Sequence, residues 1–450
     1  MGIKRIDKKS YLYLFLKQFV GFWHNRVFYK RVVIQNRSRV PKDAHLIFTG
    51  NHQNALMDAL VFLFGVKNRL VFMARSDIFK NQFVAALLYF FRLLPIFRIR
   101  DGYDSVKKND QIFKKTIDVI KNKIGIVIMA EGNHGGQRRL RPLKKGFARI
   151  AFQTEEANNF DFNMQIVPVG IDYSSYENFR SELLINFGEP IPISDYSALY
   201  KESPAIAINQ IKEKLSESLK PLMVHIESEK YYALYNELRE LYKEEMAENL
   251  GFPSCKQPYK LQGDQTLIKH LSDFEKSYPE KMDLFQKMVL DYRNTIQKYK
   301  LNYSVAKQKT ASLISLLLKS VFYLLVLPVF LSGWLLNYWP FGLSNFAAKK
   351  LNDLQFHSSF KFVISLILWP LGHFLLSLLV WFIFKNGYLL LGFFIAMPVL
   401  GIAARAYWVG FTQFLIAFRW YIIKKRKPLV YRKIKQEQQA IFDQMNVVIV

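Results

Sequence analysis

An α/β fold, built as a mixed, largely parallel sheet flanked by helices, is predicted for the first part of this chain, and three observations predict it. Short apolar β-rich runs alternate with helix-length runs between residues 32 and 171, the pattern of strands joined by crossover helices. Glycines and charged or titratable residues collect where those strands end, which is where open α/β sheets build their sites. Beyond residue 311 the apolar stretches become long enough for a bilayer, so a helical region and C-terminal transmembrane helices follow the α/β part.

Taken in order, residues 1–30 begin with basic residues and continue through the aromatic runs 11–16 and 19–23, interrupted by Lys17. This stretch is too short to span a membrane and has no small-residue cleavage site. It reads as an amphipathic helix, lying in a membrane interface with its flanking cations on headgroups or packed on the domain. Strands are expected over 32–34, 45–48, 70–74, 96–100, 124–129 and 166–171. Helices are expected from Ala55, through 83–91, over 105–121 and over 147–155. A helix over 194–220 closes a domain of residues 31–220. Residues 221–310 are charged and helical, a connector broken near Gly251 and Pro253. Residues 311–423 form the membrane region, and 424–450 a basic cytoplasmic tail.

The 450 residues are 51% hydrophobic, enough for a large core with apolar sequence left over for lipid. Sixty-three Lys and Arg against 36 Asp and Glu give a net charge of +27, so an anionic partner is expected. No recognised nucleic-acid module is present and the basic residues cluster near the apolar stretches, which favours lipid or an acidic substrate over nucleic acid. The single cysteine, Cys255, excludes an internal disulfide and a cysteine-based zinc cluster.

Three constellations carry chemistry. The first is Gly50-Asn51-His52-Gln53-Asn54-Ala55-Leu56-Met57-Asp58, where a histidine and a carboxylate meet a strand end and a helix start. Histidine can take a proton from an alcohol near neutral pH, and a carboxylate on its second nitrogen fixes the tautomer. No serine or cysteine nucleophile stands beside the pair, so His52 would activate a substrate hydroxyl. Because the interval does not return to one helix face, His52 must lie in the loop before the helix. In the second constellation, Arg98 and Arg100 in a strand can face one anion. The third is Glu131-Gly132-Asn133-His134, leading through Arg138, Arg139, Lys144 and Lys145 to a helix near Gly146, an anion cradle at a helix N-terminus.

Together these motifs resemble the glycerol-phosphate and lysophospholipid acyltransferase superfamily. Asn51-His52 to Asp58 resembles its N-H-x-S-x-x-D motif with one extra residue, a spacing similar to that of a divergent branch. The arginine strand resembles the second motif. Glu131-Gly132 through Pro142-Leu143-Lys144-Lys145-Gly146 resembles the third, with His134 where arginine usually stands. Val167-Pro168-Val169-Gly170 resembles the fourth.

The resemblance implies a membrane-bound O-acyltransferase, with His52 and Asp58 catalytic. Arg98, Arg100, Arg138, Arg139, Lys144 and Lys145 would bind the acceptor phosphate, and Asn51, Glu131, Gly132, His134 and Pro168 would shape the pocket. It implies acyl-CoA or acyl carrier protein as co-substrate, a glycerol-phosphate acceptor, and no metal or redox cofactor. The alternative is an inactive acyltransferase-like scaffold or lipid-binding protein.

Apolar stretches over 312–339, 362–384 and 388–423, the last read as two crossings with a turn near Ala404 and Arg405, make four crossings. An even number puts the domain and the Lys424-Lys425-Arg426-Lys427 cluster together on the cytoplasmic side of an integral membrane protein.

Overall fold

The computed structural model describes residues 6–8, 10–97, 109–252, 257–303 and 311–449. The chain divides into two compact units: Met1–His225 with Leu351–Ser359, and Ile226–Lys350 with Phe360–Val450.

The first unit opens with α1 (Tyr11–Phe22), capped by Ser10, whose hydroxyl accepts from the Tyr13 N–H at 3.3 Å. A π-helical turn, Trp23–Phe28, continues it and buries Trp23 and Phe28. One face of α1 packs inward through Tyr13 and Gly21, while Tyr11, Phe15 and Phe22 stay exposed. There follow β1 (Arg31–Gln35), β2 (His45–Gly50), α2 (Ala55–Gly65), β3 (Leu70–Arg75), α3 (Gln82–Phe90), β4 (Leu93–Ile96) and α4 (Asn109–Lys121). Then come β5 (Gly125–Val127), α5 (Gly146–Glu156), β6 (Met164–Tyr173), β7 (Glu182–Phe187), β8 (Ile191–Pro192), α6 (Ser197–Glu202) and α7 (Pro204–Leu219).

The strands form one sheet in the order β1-β7-β6-β2-β5-β3-β4, with β8 on β6. Every pairing is parallel except β6 with β7 and β6 with β8. Helices cover the sheet, so central strands are apolar on both faces: Ile47, Phe48, Val71, Ile126, Ile166 and Val167 are fully buried. Parallel pairing of β2 with both β5 and β6 brings three strand ends side by side, and that geometry assembles the site.

The strand expected over 96–100 lies earlier, at Leu93–Ile96, because its partner β3 ends at Arg75, opposite Ile96. Arg98 and Arg100 fall outside the described residues. Strands β7 and β8 are additions: the chain turns after Tyr173 and runs back along β6.

In the second unit, α8 (Tyr232–Asn249), α9 (Gln257–Ser277) and α10 (Pro279–Lys298) form an amphipathic bundle, with α8 ending before Gly251 at φ 77°. Helices α11 (Leu313–Lys349), α12 (His357–Phe384) and α13 (Gly387–Arg426) are long and apolar, and α14 (Pro428–Ile449) packs on α9 and α10 through Ile434, Ile441 and Met445. Among the described residues three helices, not four, are long and apolar enough to cross a membrane. Gly387–Arg426 is one continuous helix; no turn forms at Ala404 and Arg405, since neither residue breaks a helix and Ala404 packs against Gly333 of α11. Within the segment expected as a basic tail, residues 424–426 end α13 and Pro428–Ile449 form α14, which has an apolar face to bury. Buried Asn337 joins three helices: its amide donates to Gly333 O (3.1 Å) and Met397 O (2.9 Å) and accepts from Trp369 Nε1 (3.1 Å).

Candidate active site

His52 stands in the loop between β2 and α2, as the spacing requires. Gly50 ends the strand where a Cβ would meet Val169 O at 2.5 Å, so only glycine lets β2 run this close to β6. Asn51 then extends the pairing with its side chain: Oδ1 accepts from Ile171 N–H (2.7 Å) and Nδ2 donates to Ile171 O (2.9 Å). Both bonds tie the loop to β6, and Pro168, paired in register with Thr49, lies buried beneath it.

The loop folds around the Asp58 carboxylate. Oδ2 accepts from His52 Nδ1 (2.9 Å), Gln53 N–H (2.9 Å) and Asn54 N–H (2.7 Å), and Oδ1 accepts from Tyr173 Oη (2.7 Å). Wrapping five intervening residues around one carboxylate takes Ala55 to φ 42°, a left-handed conformation at the first residue of α2. Asp58 is 1% exposed and His52 keeps 15% of its side chain open. A carboxylate on Nδ1 holds the proton there and leaves Nε2 as the basic nitrogen.

Glu131 arrives from the end of neighbouring β5. Its Oε1 accepts from His52 N–H (2.7 Å) and its Oε2 from Arg141 N–H (3.1 Å), so this buried side chain clamps the base loop to the cationic loop. Burial pushes its carboxyl up to about 8, against the backbone bonds that favour the ionised form. Gly132, at φ 70°, makes the turn after it. Gly135 N–H donates to His52 O (3.1 Å), and the His134 ring meets the His52 ring edge-on with centroids 5.6 Å apart. Burial, with His52 nearby, holds His134 below the usual imidazole range.

The expected cations divide. Arg138 is buried, donating to Asp172 Oδ1 (2.6 Å) and Tyr173 O (2.7 Å), so it braces β6 rather than waiting for phosphate. Lys144 and Lys145 are exposed at the start of α5, and the Lys144 stem lies against Gly132, next to Glu131. Arg139 is half-buried. Arg141, outside the expected set, is exposed and donates to His134 O at 2.9 Å.

Residues 31–172 match the family model described as Acyltransferase. Glycerol-3-phosphate O-acyltransferase 2 of Saccharomyces cerevisiae is 30% identical over 112 residues, 25% of this chain and 15% of that protein. Glycerol-3-phosphate O-acyltransferase 1 of the same yeast is 25% identical over 204 residues, 44% of this chain and 26% of that protein. The chain thus matches about a quarter or less of the length of these curated relatives. The crystal structure of the 1-acyl-sn-glycerophosphate acyltransferase PlsC from Thermotoga maritima is similar at a TM-score of 0.33 and 19% identity, covering 46% of this chain and 79% of that one. Residues 31–172, which include the His52 loop, are an acyltransferase domain of the glycerol-phosphate and lysophospholipid acyltransferase superfamily.

Proposed function

We propose that this protein transfers a fatty acyl group from acyl-CoA or acyl carrier protein to the hydroxyl of a glycerol-phosphate acceptor at a membrane surface. The observation that carries this reading is the His52–Asp58 pair, a base held by a buried, fully hydrogen-bonded carboxylate in the loop after a parallel strand. His52 Nε2 takes the acceptor's hydroxyl proton as the oxygen attacks the thioester carbonyl. The tetrahedral intermediate then expels the thiolate, which leaves with that proton. Asp58 keeps the ring oriented and stabilises the imidazolium, and Tyr173 and the two loop amides hold Asp58.

Lys144 and Lys145 supply exposed positive charge close to Gly132 for a phosphate, with Arg139, Arg98 and Arg100 as further candidates. The yeast relatives' names support glycerol 3-phosphate as acceptor, while 1-acylglycerol 3-phosphate offers the same phosphate and a free hydroxyl.

The test is a purified-protein assay with labelled acyl-CoA or acyl carrier protein against glycerol 3-phosphate, dihydroxyacetone phosphate and 1-acylglycerol 3-phosphate. Transfer is expected to a phosphate-bearing acceptor, and His52→Ala is expected to lower it by about 10²- to 10⁴-fold while the protein still folds. Near-full activity in His52→Ala would remove His52 as the base.

A further inference from the structure

The segment Leu351–Ser359, which takes in the α11–α12 connection and the first residues of α12, belongs to the unit that holds His52 although it lies more than two hundred residues beyond His134 in sequence. It is tied there at four points. The Ser358 hydroxyl donates to Asn54 Oδ1 in the His52 loop. The His357 ring lies 3.5 Å from Glu177 Oε2 and bonds Leu351 O through Nε2 at 3.1 Å. The Phe356 ring stands edge-on to the His134 ring with centroids 4.6 Å apart. The Gln355 amide completes the set. In the orientation that satisfies both of its ends, its nitrogen donates to His134 Nδ1 and to His134 O (3.1 Å), and its oxygen accepts from Gly136 N–H (2.9 Å).

A neutral imidazole whose Nδ1 accepts a hydrogen bond carries its proton on Nε2. His134 is thereby a neutral donor, held between Gln355 and Phe356 on one side and the His52 ring on the other. A substrate oxygen at hydrogen-bond distance from His52 stands close enough for a ring at this separation to reach it as well.

We propose that Leu351–Ser359 is a strap, carried between two long apolar helices, whose Gln355 positions His134 as a neutral Nε2–H donor to the substrate in the acyl-transfer site. The proposal rests on the acyltransferase reading above. Gln355 is a positioning residue, acting only through His134, and this dictates the test.

Steady-state kinetics of Gln355→Ala, Gln355→Glu, His134→Ala and the double variant His134→Ala/Gln355→Ala give the answer. Gln355→Ala is expected to lower kcat about tenfold, the worth of one oriented hydrogen bond, with KM for the acyl donor little changed. Gln355→Glu keeps the volume but offers only acceptors, drawing the proton onto Nδ1. It is expected to lower kcat at least as far, and it serves should the alanine variant fail to fold. In the His134→Ala background Gln355→Ala should add nothing. Wild-type kcat in both Gln355 variants, or losses that add to that of His134→Ala, would overturn the strap. If His52→Ala is inactive while the Gln355 variants behave as wild type, only the strap falls. An active His52→Ala takes the reading of the site with it.

Discussion

At the scale of residues, the His52–Asp58 pairing is legible in the sequence and its supports are not. A histidine between an apolar strand and a helix, with Asp58 too far along to share a helix face, can only sit in the connecting loop. Tyr173, the donor on the second oxygen of Asp58, lies 115 positions away at the end of another strand, and its role follows only from the parallel register of β6 beside β2. Glu131 is legible as a pocket residue, but not as the clamp on the backbone of both loops. That clamp has a pH consequence. The unfolded chain releases the Glu131 proton near the ordinary 4.5, whereas the folded protein holds it to about 8. The stability this group contributes is therefore fully present below the unfolded value and is lost as pH rises through the folded one. Thermal unfolding of detergent-solubilised protein should show the wild-type midpoint falling relative to that of Glu131→Gln between about pH 5 and 8. Parallel curves would mean that Glu131 is ionised throughout. Glu131→Gln should itself be less stable at the acidic end by about 1–3 kcal/mol, because its amide NH₂ faces one of two backbone donors.

At the scale of elements, the alternation of strands and helices is legible because buried parallel strands are short apolar runs, and β2, β3 and β6 fall where the pattern puts them. What it misses are pairings that depend on a distant partner. β4 stops where β3 stops, and β7 exists because β6 offers it an edge. The cationic loop before α5 shows the same limit. Arg138 reads as one of several phosphate ligands until Asp172, 34 positions later on β6, proves to be its partner. The two kinds of cation should separate experimentally. Arg138→Ala strands Asp172 in a buried place and is expected to destabilise the catalytic unit by about 3–5 kcal/mol, read as a loss of folded protein or of melting temperature. Lys144→Ala removes an exposed charge beside Gly132 and should leave melting unchanged while raising KM for the phosphate-bearing acceptor several-fold more than KM for the acyl donor. Unchanged KM in Lys144→Ala together with a raised acceptor KM in a stable Arg138→Ala would reverse the two assignments.

At the scale of the whole molecule, the apolar helices are legible from hydropathy, but the path of the chain through them is not, because the strap has no signature in sequence. Its position bears on membrane topology. Between His225 and Leu313 no described helix is long and apolar enough to cross a bilayer, and the start of α11 is therefore expected on the face that carries His52. Leu351–Ser359 belongs to the unit that holds His52, so the end of α11 is expected on that face too. A helix of 37 residues extends about 55 Å, more than one crossing needs, and with both ends on one face α11 is expected to lie within the lipid rather than through it. Helix α13 runs antiparallel to α11, with Gly410 against Tyr323 and Met397 O bonded to Asn337, and should follow the same course. Taking the catalytic face as cytoplasmic, single cysteines placed at Asp353, Asn386 and Gln436 in a Cys255→Ser background are expected to react with an impermeant maleimide only after the membrane is opened. Labelling of Asn386 alone from outside intact cells would make α12 and α13 a crossing pair and still leave the strap on the catalytic face. Labelling of Asp353 from outside would put the strap across the bilayer from His52, where Gln355 could not reach His134. The acyltransferase assignment survives that result, because the family match and the His52–Asp58 geometry both lie before residue 173.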